Sequence, residues 1–129
     1  MARFLIKFAY SSASWARMIN VADDRTRAGR VLMESLGGSL ERIDWDLENG
    51  AAYAVAELPD SVTAAAVLTA TAKTGAFAGV EAHELLTQEQ MHDALMLARD
   101  AALVYQPPGS AATEPGSGSR SVDGRQPVP

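Results

Sequence analysis

The stretch from Leu36-Gly37-Gly38-Ser39-Leu40 to Glu57-Leu58-Pro59-Asp60 constrains this chain most. Gly37-Gly38 stops a helix, because glycine takes the left-handed C′ conformation without a side-chain clash. Asn49-Gly50 is a hairpin-turn signal, since both residues tolerate positive φ. Ser39 to Asp46 and Ala51 to Leu58 flank it as two strands. Pro59 then stops the second strand, and Asp60 or Ser61 opens a new helix. A helix, a hairpin and another helix must therefore share one small core.

The rest of the chain extends that pattern. Residues 3 to 10 alternate, with Phe4, Ile6, Phe8 and Tyr10 on one face and Arg3, Leu5, Lys7 and Ala9 on the other, which predicts a first strand. Ser11, Ser12 and Ser14 offer caps for a helix whose Trp15, Met18, Ile19 and Ala22 form one apolar stripe. The stripe is interrupted by the charged run at residues 23 to 27, read as a solvated helix start, and resumes at Gly29, Leu32, Met33 and Leu36. One long helix is expected, or two collinear pieces with Asp23 or Asp24 capping the second.

In the hairpin, Glu41, Ile43 and Trp45 alternate with Leu40, Arg42, Asp44 and Asp46, whereas Tyr53, Val55 and Glu57 alternate with Ala52, Ala54 and Ala56. The small alanines suit close helix packing. A helix is expected from about Val62 to Thr74, ended by Gly75, then a fourth strand over residues 79 to 85. Thr87-Gln88-Glu89-Gln90 is a capping-box pattern that opens a last helix reaching about Val104, with Met91, Ala94, Leu95 and Ala98 as its stripe. Residues 1 to 105 thus make one domain. Residues 106 to 129 are rich in Pro, Gly and Ser, cannot offset their ordering entropy by burial, and are expected to lack fixed structure.

The predicted fold class is α+β: a β-α-β-β-α-β split unit with an antiparallel four-stranded sheet, strand order four, one, three, two, and an extra C-terminal helix. Both main helices cover one face. The other face would carry Leu5, Ile43, Trp45, Tyr53, Val55 and Leu85, so a second copy of the chain or a ligand is expected to cover it.

Composition narrows the function classes. A net charge of −5 and a pI near 4.9 speak against a nucleic-acid or anionic-membrane surface, which needs clustered Lys and Arg. The absence of Cys removes disulfides, thiol nucleophiles and thiolate metal sites. With neither a signal-peptide pattern nor a long apolar run, a cytoplasmic protein is expected.

Residues 3 to 95 resemble the GYD-domain family. The features that carry the resemblance are the opening strand Phe4 to Tyr10 followed by small hydroxyl residues, Glu34-Ser35-Leu36-Gly37-Gly38, Glu57-Leu58-Pro59-Asp60, Thr74-Gly75-Ala76 and Glu84-Leu85-Leu86-Thr87. The resemblance implies a ferredoxin-like protomer assembled as a dimeric α/β barrel. The Gly-x-Tyr-Asp signature that names the family is replaced here by Asn49-Gly50-Ala51-Ala52, so no role of that Tyr-Asp pair carries over.

The expected strand order brings Lys7, Glu57 and His83 onto the helix-free face, near Tyr53, Val55 and Trp45. Enclosed by a dimer, His83 would be a general base, with Lys7 and Glu57 as its charged neighbours. The structural alternative is a Lys7–Glu57 ion pair and an interface histidine. His83 and His92 have no ligand-spaced partners, so no metal or other cofactor is expected, and haem ligation by His83 rests on fold analogy alone. No Gly-x-Ser-x-Gly elbow or Gly-x-Gly-x-x-Gly loop occurs. Trp15 and the methionines follow helical spacing and are expected in the core.

Three functions fit. The first is an accessory or small-molecule-binding homodimer whose cavity is lined by Lys7, Trp45, Tyr53, Val55, Glu57 and His83. The second is a cofactor-independent isomerase or monooxygenase with His83 as base and Lys7 stabilising an oxyanion. The third is a pure assembly module.

Overall fold

The computed structural model describes residues 1–109 and divides into two compact units, Met1–Leu86 and a second that begins at Thr87. The tail expected over residues 106–129 lies, from residue 110 onward, outside the described residues.

In the first unit the chain runs through β1 (Ala2–Tyr10), α1 (Ser12–Asn20), α2 (Arg25–Ser35), β2 (Ser39–Asp46), β3 (Ala51–Leu58), α3 (Ser61–Ala72) and β4 (Phe77–Leu85). The strands form one sheet in the order β2-β3-β1-β4, and every neighbouring pair is antiparallel. This is the expected order, and the α+β arrangement fits a ferredoxin-like fold.

Alternation along β1 buries Phe4, Ile6 and Phe8 and leaves Leu5 and Lys7 half-buried. Ala54, Ala56 and Leu58 of β3 lie on the same side, where Met33 of α2 and Ala64 and Val67 of α3 close over them. The alanines give α2 and α3 room to approach the sheet, and Gly29 sharpens the fit. A Cβ there would stand 3.2 Å from Leu40 Cδ2 and 3.3 Å from Ile43 Cδ1.

The interrupted stripe resolves as two helices. The Asp24 carboxylate caps α2 by accepting from the Thr26 amide at 3.0 Å. At the other end the Gly38 amide donates to the Met33 carbonyl at 2.9 Å and Gly37 takes φ 82°, so the glycine pair does stop the helix.

Two local features depart from expectation. The hairpin loop is four residues long, and only Gly50 uses positive φ. Asp46 organises the loop: its carboxylate accepts from the Glu48 amide at 3.0 Å and from Asn49 Nδ2 at 2.7 Å. The Asn49 side chain accordingly holds the Asp46 carboxyl below the usual aspartate range.

The second departure decides which residues share a face. Leu40 pairs with Ala56 and Arg42 with Val55, so Glu41 is an extra residue, a β-bulge. Side-chain parity slips there. Leu40, Ile43 and Trp45 all lie on the helix side, opposite Ala56, Ala54 and Ala52, while Arg42 and Asp44 point away. The strict alternation that put Ile43 and Trp45 on the helix-free face is thereby corrected.

In the second unit, α4 (Gln88–Val104) opens on the expected capping box, with Gln90 N–H donating to Thr87 Oγ1 at 3.0 Å and Thr87 N–H donating to Gln90 Oε1 at 2.8 Å. The helix buries none of its residues. Met91 and Leu95 of its stripe are 44% and 55% exposed.

Candidate functional site

Two surfaces carry chemistry-bearing residues. The first is the outer face of the sheet, turned away from α2 and α3. Its rows follow from the register: Arg42, Val55, Leu5 and His83 make one, and Asp44, Tyr53, Lys7 and Glu81 make the next. A third holds Ser39, Glu57, Arg3 and Leu85. Lys7, Glu57 and His83 therefore share a face as expected. Lys7 and Glu57 do not meet, however. Lys7 faces Tyr53 and Glu81, whereas Glu57 lies four residues farther along β3, about 13 Å away, opposite Arg3.

His83 faces Leu5, and its Nε2 stands 3.0 Å from Glu81 Oε1, with the imidazole side chain 58% exposed. Arg3 pairs with the bulge residue Glu41 at 2.6 Å. Tyr53 and Val55 lie beside Lys7 and Leu5, respectively. Trp45 is on the opposite side of the sheet, because the bulge turned it there.

That opposite side holds the second surface, a cleft where β1 ends, β4 begins and α1 passes into α2. It is built from the β1 end outward. A register shift between Ala9 and Tyr10 pairs Tyr10 with Phe77, and their rings sit 4.9 Å apart. Ser11 caps α1 by accepting from the Ser14 amide, and its own amide donates to the Ala76 carbonyl at 3.0 Å. Ser14 is buried, and its hydroxyl donates to the same carbonyl at 2.8 Å, tying α1 to the start of β4. These serines are structural, as their position before a helix suggested.

Locked in that way, α1 presents Trp15, which meets Tyr10 edge-on at 5.7 Å, while Trp45 stacks on Tyr10 at 5.6 Å and 19°. Such pairs stabilise beyond their buried area by about 0.5–1.5 kcal/mol each. The wall of the cleft is thus an aromatic cluster with a fixed geometry.

A cavity of about 510 Å³ opens against this wall, lined by Tyr10, Ser14, Arg17, Met18, Asp23, Arg25 and Phe77 among others. A second, of about 260 Å³, lies between Trp15 and Trp45 and shares Met18, Asp23 and Arg25 with the first. Arg25 also borders a third space of about 70 Å³ beside Phe8 and Ile43. Arg25 Nη1 pairs with Asp23 Oδ2 at 2.9 Å, and Arg25 Nε is enclosed without any hydrogen-bond partner. Burial works against the Arg25 charge, but the Tyr10 hydroxyl and the Asp23 carboxylate outweigh it and hold the pKa above its ordinary value.

Sequence reasoning missed this cleft. Arg25 sits in the charged run read as solvated, and Trp15 and Met18 in a stripe read as core; both are half-buried at the cleft instead. No spacing signal marks Arg25, since its enclosure depends on Tyr10, 15 residues earlier, and on Phe77 from another strand. Among the described residues, no group of three His, Asp or Glu side chains is placed to hold a metal ion, and no helix is long and apolar enough to cross a membrane.

Fold and cleft together define a small α+β protein, ferredoxin-like in strand order, with an aromatic and cationic recess at one end of its sheet. The chain belongs to the GYD-domain family: the model of the GYD domain matches residues 4–95. No curated protein and no solved structure matches it.

Proposed function

We propose that this protein binds a small, partly apolar molecule in the cleft at Tyr10, Trp15, Arg25 and Phe77, and that it works as a homodimer joined through the outer sheet faces. The observation that carries the binding reading is the cleft itself. A recess of about 510 Å³ with an aromatic wall and a few convergent polar groups is of the size and character that small-molecule sites have. The homodimer is supported by Leu5, Tyr53, Val55 and Leu85, half-buried on a face that α2 and α3 leave uncovered.

Native mass spectrometry of the gently purified protein tests both parts. The expected species is twice the 13.6 kDa chain mass, carrying additional small-molecule mass. A bare chain whose Trp15 and Trp45 emission is unmoved by any of a panel of aromatic acids, amines and alcohols would remove the binding reading. Val55→Lys, in the middle of the outer face, is expected to give monomers; an intact dimer in that variant would remove the proposed interface.

A second reading has its own support in the His83–Glu81 contact, since a carboxylate that orients an imidazole is a recurrent base arrangement. In that reading a partner subunit covers His83 and Lys7, and the site catalyses a cofactor-independent isomerase or monooxygenase reaction. His83→Ala would then abolish turnover of a bound substrate and leave its binding intact.

A further inference from the structure

Arg25 stands at the junction of all three cavities around the aromatic wall. The whole chain carries a net charge of −5, yet the lining of the main cavity holds two arginines, Arg17 and Arg25, against the single carboxylate of Asp23. Arg17 is engaged with the Ser14 hydroxyl at 3.2 Å. Arg25 is paired through Nη1 with a residue two positions away on the short link between α1 and α2, and the Tyr10 hydroxyl stands against the same guanidinium. Its Nε has no partner at all. An enclosed donor without an acceptor is costly, and a guanidinium edge is shaped to give two parallel bonds to one carboxylate.

From these features we infer, resting on the binding reading above, that the ligand is a flat aromatic monoanion, an aryl carboxylate, which takes Arg25 over from Asp23. The ring lies against Tyr10 and Phe77, the aromatic lining of the main cavity. The carboxylate pairs two-pronged with the Nε edge of Arg25, giving it two charge-assisted bonds where Asp23 gives one. Asp23 belongs to the irregular link and is half-exposed, so its release lets the guanidinium turn into the cleft and joins the two larger recesses that the Asp23–Arg25 pair now borders. A dianion such as a phosphate monoester suits the site less, because one positive charge in excess leaves its second charge uncompensated in a mostly apolar recess.

Calorimetric titration of the full chain with naphthalene carboxylate and with its neutral, near-isosteric carboxamide tests this. The carboxylate is expected to bind about tenfold tighter than the amide. Arg25→Met is expected to erase the difference while the amide still binds. Asp23→Asn, which removes the internal competitor, is expected to tighten the carboxylate by about threefold and leave the amide unchanged. Equal binding of the two probes to the wild-type protein would overturn the anion inference and leave the binding reading standing, and so would a preference that survives Arg25→Met. Failure of both probes to bind the wild-type protein would overturn the aryl-carboxylate inference, and the mass-spectrometric test above decides the binding reading separately. The wild-type comparison decides the matter even if Arg25→Met does not fold.

Discussion

Gly38→Ala isolates how tightly the stop of α2 is pressed against β3. A Cβ at Gly38 would fall inside the contact radius of the Glu57 carbonyl oxygen and 2.7 Å from Leu58 Cδ2. The first obstacle is backbone in a paired strand, so rotation of a side chain gives no relief. The start of β2 must instead move by on the order of 1 Å, which disrupts the Ser39–Glu57 pair at its end of the ladder. Loss of one or two ladder hydrogen bonds costs about 0.5–1.5 kcal/mol each, and a forced shift in a packed region adds about 1–3 kcal/mol. The sum is about 1.5–6 kcal/mol, and each kcal/mol lowers the thermal midpoint by roughly 4–8 °C for a unit of this size. Gly79→Ala is the internal control: its Cβ meets nothing within 4 Å and its backbone is not in the left-handed region. That variant is expected to stay within about 0.5 kcal/mol of the parent. Urea unfolding of the three proteins side by side is the assay. A Gly38→Ala variant as stable as the parent, or a Gly79→Ala variant destabilised equally, would refute the close-approach reasoning.

Four further outcomes follow from the fold. Deleting Glu41 closes the bulge into a regular ladder in which Leu40, Ile43 and Trp45 still face the helices, so near-ultraviolet dichroism from the aromatic cluster is expected to persist; its collapse would refute the bulge assignment. Glu41→Ala keeps the bulge, loses only the half-exposed pair with Arg3, and is expected to cost under about 1 kcal/mol. Leu58→Ala empties a fully buried position beneath α3 and is expected to cost about 2–5 kcal/mol in the same urea assay. Asp60 caps α3, and the hydrogen bond from the Thr63 amide lowers its carboxyl below 3.8. A lowered folded-state pKa means stability that is present above 3.8 and lost as the pH falls through the folded value. Asp60→Asn keeps a capping side chain without the titration, so its thermal midpoint is expected to fall less steeply with acid than the parent's; equal slopes would rule out the linkage.

Much of this fold was legible because its signals are local. Alternation in β1 and the alanines of β3 named the core face, Gly37-Gly38 and Asp60 bounded the helices, and Thr87 with Gln90 formed the capping box that their spacing implied. The strand order followed from the element order. The site was much less legible, and for definable reasons. The outer-face residues Lys7, His83, Tyr53 and Val55 could be assigned by parity, because β1, β3 and β4 keep their period across those positions. Trp45 could not, because one unpaired residue, Glu41, inverts the parity of everything after it, and nothing in Leu40-Glu41-Arg42 announces an insertion.

The sequence by itself determined the elements, the buried stripe and the family, since each rests on residues within a few positions of one another. Only the tertiary structure decided the cleft. Tyr10, Trp15, Arg25, Trp45 and Phe77 come from five separate elements, and their meeting depends on a β-bulge, a register shift at the end of β1 and a buried serine that ties α1 to β4. Each of those is a pairing between distant segments, chosen by packing in three dimensions, and no periodicity along the chain records it.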